Sequence, residues 1–90
     1  MKQTCLSLDT VRTGKQIEKI LRQNGYTVKS LQIELGLLSP QPIYRWVSGK
    51  IMPSIDHLYH MSKLFQIHME DFLVSCDDVS NSQNEEITEI

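Results

Sequence analysis

The residues best placed to do chemistry lie in one stretch, SPQPIYRWVSGK at 39–50. Gln41, Tyr44 and Arg45 are spaced three and four apart, so on a helix they share one face or adjacent faces. A carboxamide offers a donor and an acceptor side by side, which pairs with an adenine edge. A guanidinium fork matches a guanine edge or clamps a phosphate. Tyr44 suits a thymine methyl or a phosphate. Ser39 and the free amides of a helix start suit a phosphate oxygen without reading sequence. Ser48 and Lys50 follow where backbone phosphates would pass, and Lys29 is a further cation upstream. Taken alone, such residues also describe an ordinary solvated helix face. Their surroundings have to decide.

Other constellations are weaker. His57 and His60 lie three apart and His68 follows, but no Cys, Asp or Glu is placed to complete a metal site, and Asp56 points elsewhere. Surface histidines are the simpler reading. No Ser/His/Asp or Cys/His spacing provides a nucleophile, and no Gly-rich loop cradles a phosphate. The expectation is a non-enzyme with no catalytic residue, no metal and no cofactor.

The elements that position the stretch can be read from caps and periodicity. Thr13-Gly14-Lys15-Gln16 has the form of a capping box, and Ile17, Ile20 and Leu21 follow at helical spacing, so a first helix is expected at 14–24, closed by Gly25 after Asn24. Thr27 caps a second, with Val28, Leu31 and Leu35 on one face and Gly36 at its end. Leu37-Leu38 reads as an apolar turn packed on the core. Ser39 is expected to cap the third helix, with Pro40 at its first position and Pro42 still inside its first turn, where neither missing N–H is needed. Ile43 and Trp46 then face inward, with Val47 beside them, and Gly49 stops the helix. At i+3 from Ile43, Trp46 reads as core rather than as a stacking platform for bases.

After the connector 50–53, Ser54 caps a fourth helix with Ile55, Leu58, Met61, Ser62 and Phe65 in register and Leu64 flanking. A short fifth helix at 69–74 carries Glu70 and Asp71 in its first turn, as the helix dipole favours, with Phe72 and Leu73 closing the core. The expected fold class is all-α, five short helices and a tail.

Ninety residues suffice for one small core. No apolar run approaches the roughly 20 residues of a membrane-spanning helix, and the N-terminus MKQTCLSLD lacks the build of a signal peptide. Cys5 and Cys76 show no CxxC or Cys/His spacing and are expected as reduced thiols in a cytoplasmic protein. The net charge of −2 is unevenly spread. All nine basic residues lie before residue 77 against six acids, a net of +3, whereas Asp77, Asp78, Glu85, Glu86 and Glu89 give the end −5. Three segments are expected: an N-terminal arm at 1–12, the helical domain at 13–75, and an acidic, disordered tail at 76–90. Ile87 and Ile90 among the tail's acids leave room for a protein partner there.

From Leu21 to Leu73 the chain resembles the XRE-type, lambda-repressor- and Cro-like helix-turn-helix family. The matching residues are LGL at 35–37, I-x-R-W-x-x-G-K at 43–50, Pro53-Ser54, the helix with Leu58, Leu64 and Phe65, and MEDFL at 69–73. SPQPIYRW resembles a subgroup whose third helix reads SPQ-x-[IV]-Y-[KR]-W. The resemblance implies a compact five-helix DNA-binding domain of bacteria or phages. It is expected to act as a homodimer on a palindromic operator and as a transcriptional regulator, here a repressor. It places Gln41, Tyr44 and Arg45 toward bases in the major groove; Ser39, Ser48, Lys50 and Lys29 are expected, from their own chemistry and position, toward the DNA backbone. Leu31, Leu35, Ile43, Trp46, Leu58 and Phe65 form the core of the motif. Val28 stands where many members carry a phosphate-holding Gln. Gln32 stands where a small Ala is common, and the turn at 37–39 is one residue longer than the commonest form. The rival reading is a protein-interaction module, antitoxin-like, with DNA binding secondary. The polar, basic-leaning face at 41–50 speaks against it, since a docking face would be apolar there.

Overall fold

Each helix in this chain is set by a start signal and a buried stripe. The computed structural model describes residues 7–76. Four α-helices follow one another, α1 (Thr10–Gln23), α2 (Val28–Leu35), α3 (Gln41–Val47) and α4 (Ile55–Phe65), and a 3-10 turn at Met69–Phe72 takes the fifth place. The expectations for residues 1–6 and for the acidic tail from 77 onward lie outside the described residues.

α1 starts earlier than Thr13 predicts. Asp9 is the N-cap, its carboxylate accepting the Arg12 N–H at 2.9 Å. An aspartate caps as well as a threonine, which leaves Thr13 free for another task. Thr13 is 1% exposed, and its hydroxyl accepts the Val74 N–H at 3.0 Å and donates to the Val74 carbonyl at 3.4 Å. Around that latch residues 7–9 pair with residues 74–76. Asp9 N–H donates to Val74 O at 2.7 Å, Cys76 N–H donates to Ser7 O at 3.1 Å, and Leu8 and Ser75 form an antiparallel bridge. Thr13→Val keeps the shape and removes both hydrogen bonds, so it should cost about 1–3 kcal/mol, read as a lower urea midpoint at unchanged slope. A shift below about 0.5 kcal/mol, the size of an ordinary surface change, would show that the latch does not hold the C-terminal segment. Cys76 in that segment is disulfide-bonded, which corrects the expectation of reduced thiols. The chain's other cysteine, Cys5, lies outside the described residues. The pairing of 7–9 with 74–76 joins two segments across a sequence separation that no spacing motif reports.

α2 opens with a reciprocal cap. Ser30 N–H donates to the Thr27 hydroxyl at 3.1 Å and Thr27 N–H donates to the Ser30 hydroxyl at 2.8 Å. Leu31 is fully buried, Val28 and Leu35 are half-buried, and Gly36 ends the helix in the left-handed conformation at φ 70°. The apolar pair that follows divides, contrary to expectation. Leu37 packs against the core, whereas Leu38 is fully exposed at 102%. Leaving one leucine in water forgoes about 1.5–3 kcal/mol.

α3 also starts differently. Pro40, not Ser39, is the N-cap, with no side-chain hydrogen bond, and Gln41 and Pro42 are the first two helical residues. With Pro42 lacking an N–H, the first turn has fewer orphan amides to satisfy, so a serine cap is not needed. In α4, Ser54 caps as expected, accepting the His57 N–H at 3.3 Å. Leu58, Met61, Ser62 and Phe65 are buried, but Ile55 is 69% exposed. It sits at the first helical position, where the helix overhangs the core. The last element tightens into a single 3-10 turn, shorter than the helix expected at 69–74. There Asp71 accepts the His68 N–H at 3.0 Å, Phe72 is fully buried, and Gln16 of α1 donates to the Asp71 carbonyl at 2.9 Å.

One core unites these elements: Ile17, Ile20 and Leu21 of α1, Leu31, then Ile43 and Trp46 of α3, Leu58, Met61 and Phe65 of α4, and Phe72. Phe65 joins it edge-on to Tyr26 at 5.0 Å and tilted against Phe72 at 6.4 Å. The tightest seam is between α1 and α3, where Gly14 lies under the carbonyls of Trp46 and Val47.

Candidate nucleic-acid interface

α3 makes about two turns and buries only one side of them. The inner face is fixed by Ile43, fully buried, and Trp46, 4% exposed. The indole also meets the His57 ring of α4 at 5.1 Å, tilted by 47°. Held that way, the helix turns Gln41, Tyr44, Arg45 and Ser48 outward at i, i+3, i+4 and i+7. Together with Val47 and Lys50 they line an open depression of about 440 Å³. Gln41, Arg45 and Lys50 are exposed, and Tyr44 is half exposed.

The exit from α3 is fastened to the helix. The Arg45 carbonyl accepts the N–H groups of Lys50 at 2.9 Å and Ile51 at 3.3 Å, which holds Lys50 next to the last turn. The same carbonyl accepts the Ser48 hydroxyl at 3.3 Å. Ser48 therefore already spends its one proton inside the helix end. Ser39 is half-buried and Lys29 is exposed on α2, and neither lines the depression. The structure thus brings Gln41, Tyr44, Arg45, Ser48 and Lys50 together around one depression, with Ser39 just before the N-cap of α3 and Lys29 on α2.

Electrostatically, the face is open. Among the described residues the ion pairs are Arg12 with Asp9 at 3.4 Å and Arg22 with Glu18 at 3.0 Å, both on the α1 side. Arg45, Lys50 and Lys29 have no carboxylate partner among the described residues. A row of exposed amide, phenol and guanidinium groups on a helix whose other side is locked into the core can read base edges and grip phosphates.

Two residues that matter to this face had no signal in their own type. Gln32 donates from its side-chain amide to the Leu37 carbonyl at 3.3 Å, while its own carbonyl accepts the Leu37 N–H at 3.0 Å. The turn before α3 is thus pinned from both sides. Gly14 sets the depth at which α3 sits; the close approach is visible only once α1 and α3 are packed.

A larger depression of about 560 Å³ lies between α4 and the 3-10 turn, but Lys63, Glu70 and the apolar Ile67 and Met69 there form no reactive cluster. Among the described residues no three His, Cys, Asp or Glu side chains group as metal ligands, and no helix is long and apolar enough to cross a membrane.

A helix-turn-helix family model matches residues 17–72. No curated protein matches the chain. Among solved structures, the restriction-modification controller protein C.AhdI from Aeromonas hydrophila shares the fold, with a TM-score of 0.63 and 16% identity over 71% of this chain and 96% of that one. The matched span runs from the middle of α1 to the 3-10 turn and takes in the whole exposed face of α3. The chain belongs to the XRE-type helix-turn-helix family of DNA-binding transcriptional regulators.

Proposed function

We propose that this protein binds double-stranded DNA at a specific sequence and represses transcription by occupying it, with α3 in the major groove. The carrying observation is the outer face of α3, where Gln41, Tyr44 and Arg45 stand exposed, Arg45 without an acidic partner among the described residues, on a helix clamped by Ile43 and Trp46. Gln41 and Arg45 have the groups that distinguish bases, and Tyr44 supports them. Lys50, Lys29 and Ser39 serve the DNA backbone, with Ser48 a weaker contributor because its proton is engaged.

The basic surplus on the domain is small, so one copy makes few phosphate contacts. Two copies on half-sites roughly 34 Å apart double them, which favours a homodimer on a palindromic operator. The fold likeness to a restriction-modification controller protein supports a regulatory role. A DNA ligand favours the cytoplasm as the working compartment, although a disulfide such as that of Cys76 is uncommon there.

Gln41→Ala and Arg45→Ala should each weaken binding to the preferred duplex by about 1–3 kcal/mol and relax one base position. The measurement is fluorescence anisotropy against that duplex and against random DNA. Equal losses on both would show that the two side chains do not read bases. Absence of any DNA shift, together with co-purification of a protein partner, would favour an interaction module instead.

A further inference from the structure

We infer that Leu38 is a specificity-determining residue that contacts a thymine C5-methyl at the edge of the site read by α3. This rests on the DNA-reading role proposed above and extends it to the turn before the helix.

A single exposed leucine on a protein surface is ordinary. Leu38 differs in how it is held and where. It is exposed at 102%, more than any other apolar side chain among the described residues. Its neighbour Leu37 takes the core position. On the N-terminal side the backbone is pinned by both hydrogen bonds between Gln32 and Leu37, at 3.0 and 3.3 Å. On the C-terminal side Ser39 and Pro40 lead directly into α3, with Pro40 as the N-cap. Leu38 is therefore an apolar tip on a fixed backbone, three residues before Gln41. A contact made from such a position orders the side chain but leaves the hydrogen-bonded turn behind it in place.

The position fixes the kind of ligand. The N-terminal end of a recognition helix is the end that meets base edges. Leu38 has no donor or acceptor, so it cannot grip a phosphate or read a polar edge. What a major groove offers to an alkyl side chain is the thymine methyl group.

The test is selection from a randomised duplex library with the full chain and with Leu38→Ala, Leu38→Met and Gln41→Ala. Leu38 is fully solvent-exposed, so Leu38→Ala is expected to keep the fold, verified by its urea midpoint. The wild-type protein should enrich a thymine whose preference is lost in Leu38→Ala and kept in Leu38→Met. Replacing that thymine by deoxyuridine should weaken the wild-type protein about three- to fivefold, the worth of one buried methyl, and Leu38→Ala by less than about twofold. If Leu38→Ala keeps the full wild-type motif and the same deoxyuridine sensitivity while Gln41→Ala changes the motif, base reading stands and the Leu38 role is wrong. A loss in Leu38→Ala that is equal on all sequences also overturns it, marking a sugar–phosphate contact. Should the wild-type protein enrich no sequence, both readings fall together.

Discussion

Gly14→Ala should destabilise the protein by about 2–3 kcal/mol, although propensity alone gives the opposite sign. Gly14 lies inside α1, and glycine within a helix costs roughly 0.5–1 kcal/mol relative to alanine. Sequence reasoning would therefore offer this change as a stabilising one. The packing reverses that. A Cβ added at Gly14 would stand 2.8 Å from the Val47 carbonyl oxygen and 3.0 Å from its carbon, and nearer still to the Trp46 carbonyl oxygen. These are backbone atoms of α3, so no side chain can swing away, and the helices must separate. Overpacking of this kind costs about 1–3 kcal/mol and occasionally more. The strain acts on the residues that carry Trp46 and lead into Lys50, so DNA affinity should fall together with stability. Urea unfolding at constant slope measures the first effect; for a domain this small the melting temperature should drop by roughly 8–24 °C. A variant as stable as the wild type, or more so, would mean that α1 and α3 are not in contact through Gly14.

The same residue shows where reading from sequence ends. The stripes at Ile17, Ile20 and Leu21, at Ile43 and Trp46, and at Leu58, Met61 and Phe65 were legible because burial of one helix face leaves a period in the chain. So was the outer face of α3, since Gln41, Tyr44 and Arg45 follow from that period. Features set by packing between elements were not legible. Thr13 fitted a capping box, but Asp9 was as good a cap, and only the return of residues 74–76 to α1 shows why a buried hydroxyl is needed. The reciprocal cap of α2 uses Ser30 where a glutamate or glutamine is the usual signal. Leu37 and Leu38 are chemically identical in sequence, and the Gln32 hydrogen bonds decide which one reaches the core. Ile55 kept the periodicity of α4 and still fell beyond the edge of the core. Period reports direction around a helix, not whether a neighbour stands opposite.

Trp46→Ala is expected to have the largest effect of any substitution in α3, a loss of about 3–5 kcal/mol. The side chain is 4% exposed, belongs to the central core and lies against the His57 ring. Domains of this size are stable by only about 5–15 kcal/mol in total, so the alanine variant should be largely unfolded in modest urea. Trp46→Phe keeps an aromatic ring in the same place and should lose far less. In the folded state it should bind DNA within about threefold of wild type, because the reading groups lie on the other side of the helix. A base-stacking tryptophan would behave in the reverse way, with stability spared and affinity lost by about 1–3 kcal/mol per base. The chain holds one tryptophan, so its fluorescence reports this site alone. Emission should be that of a buried indole, shift red on unfolding and change little when DNA is added. Strong quenching by DNA with an unchanged urea midpoint in Trp46→Phe would put the ring in the interface. The two faces of α3 are thus separable by experiment. Inner-face variants should move stability and leave base preference intact, and outer-face variants should move base preference and leave the urea midpoint in place.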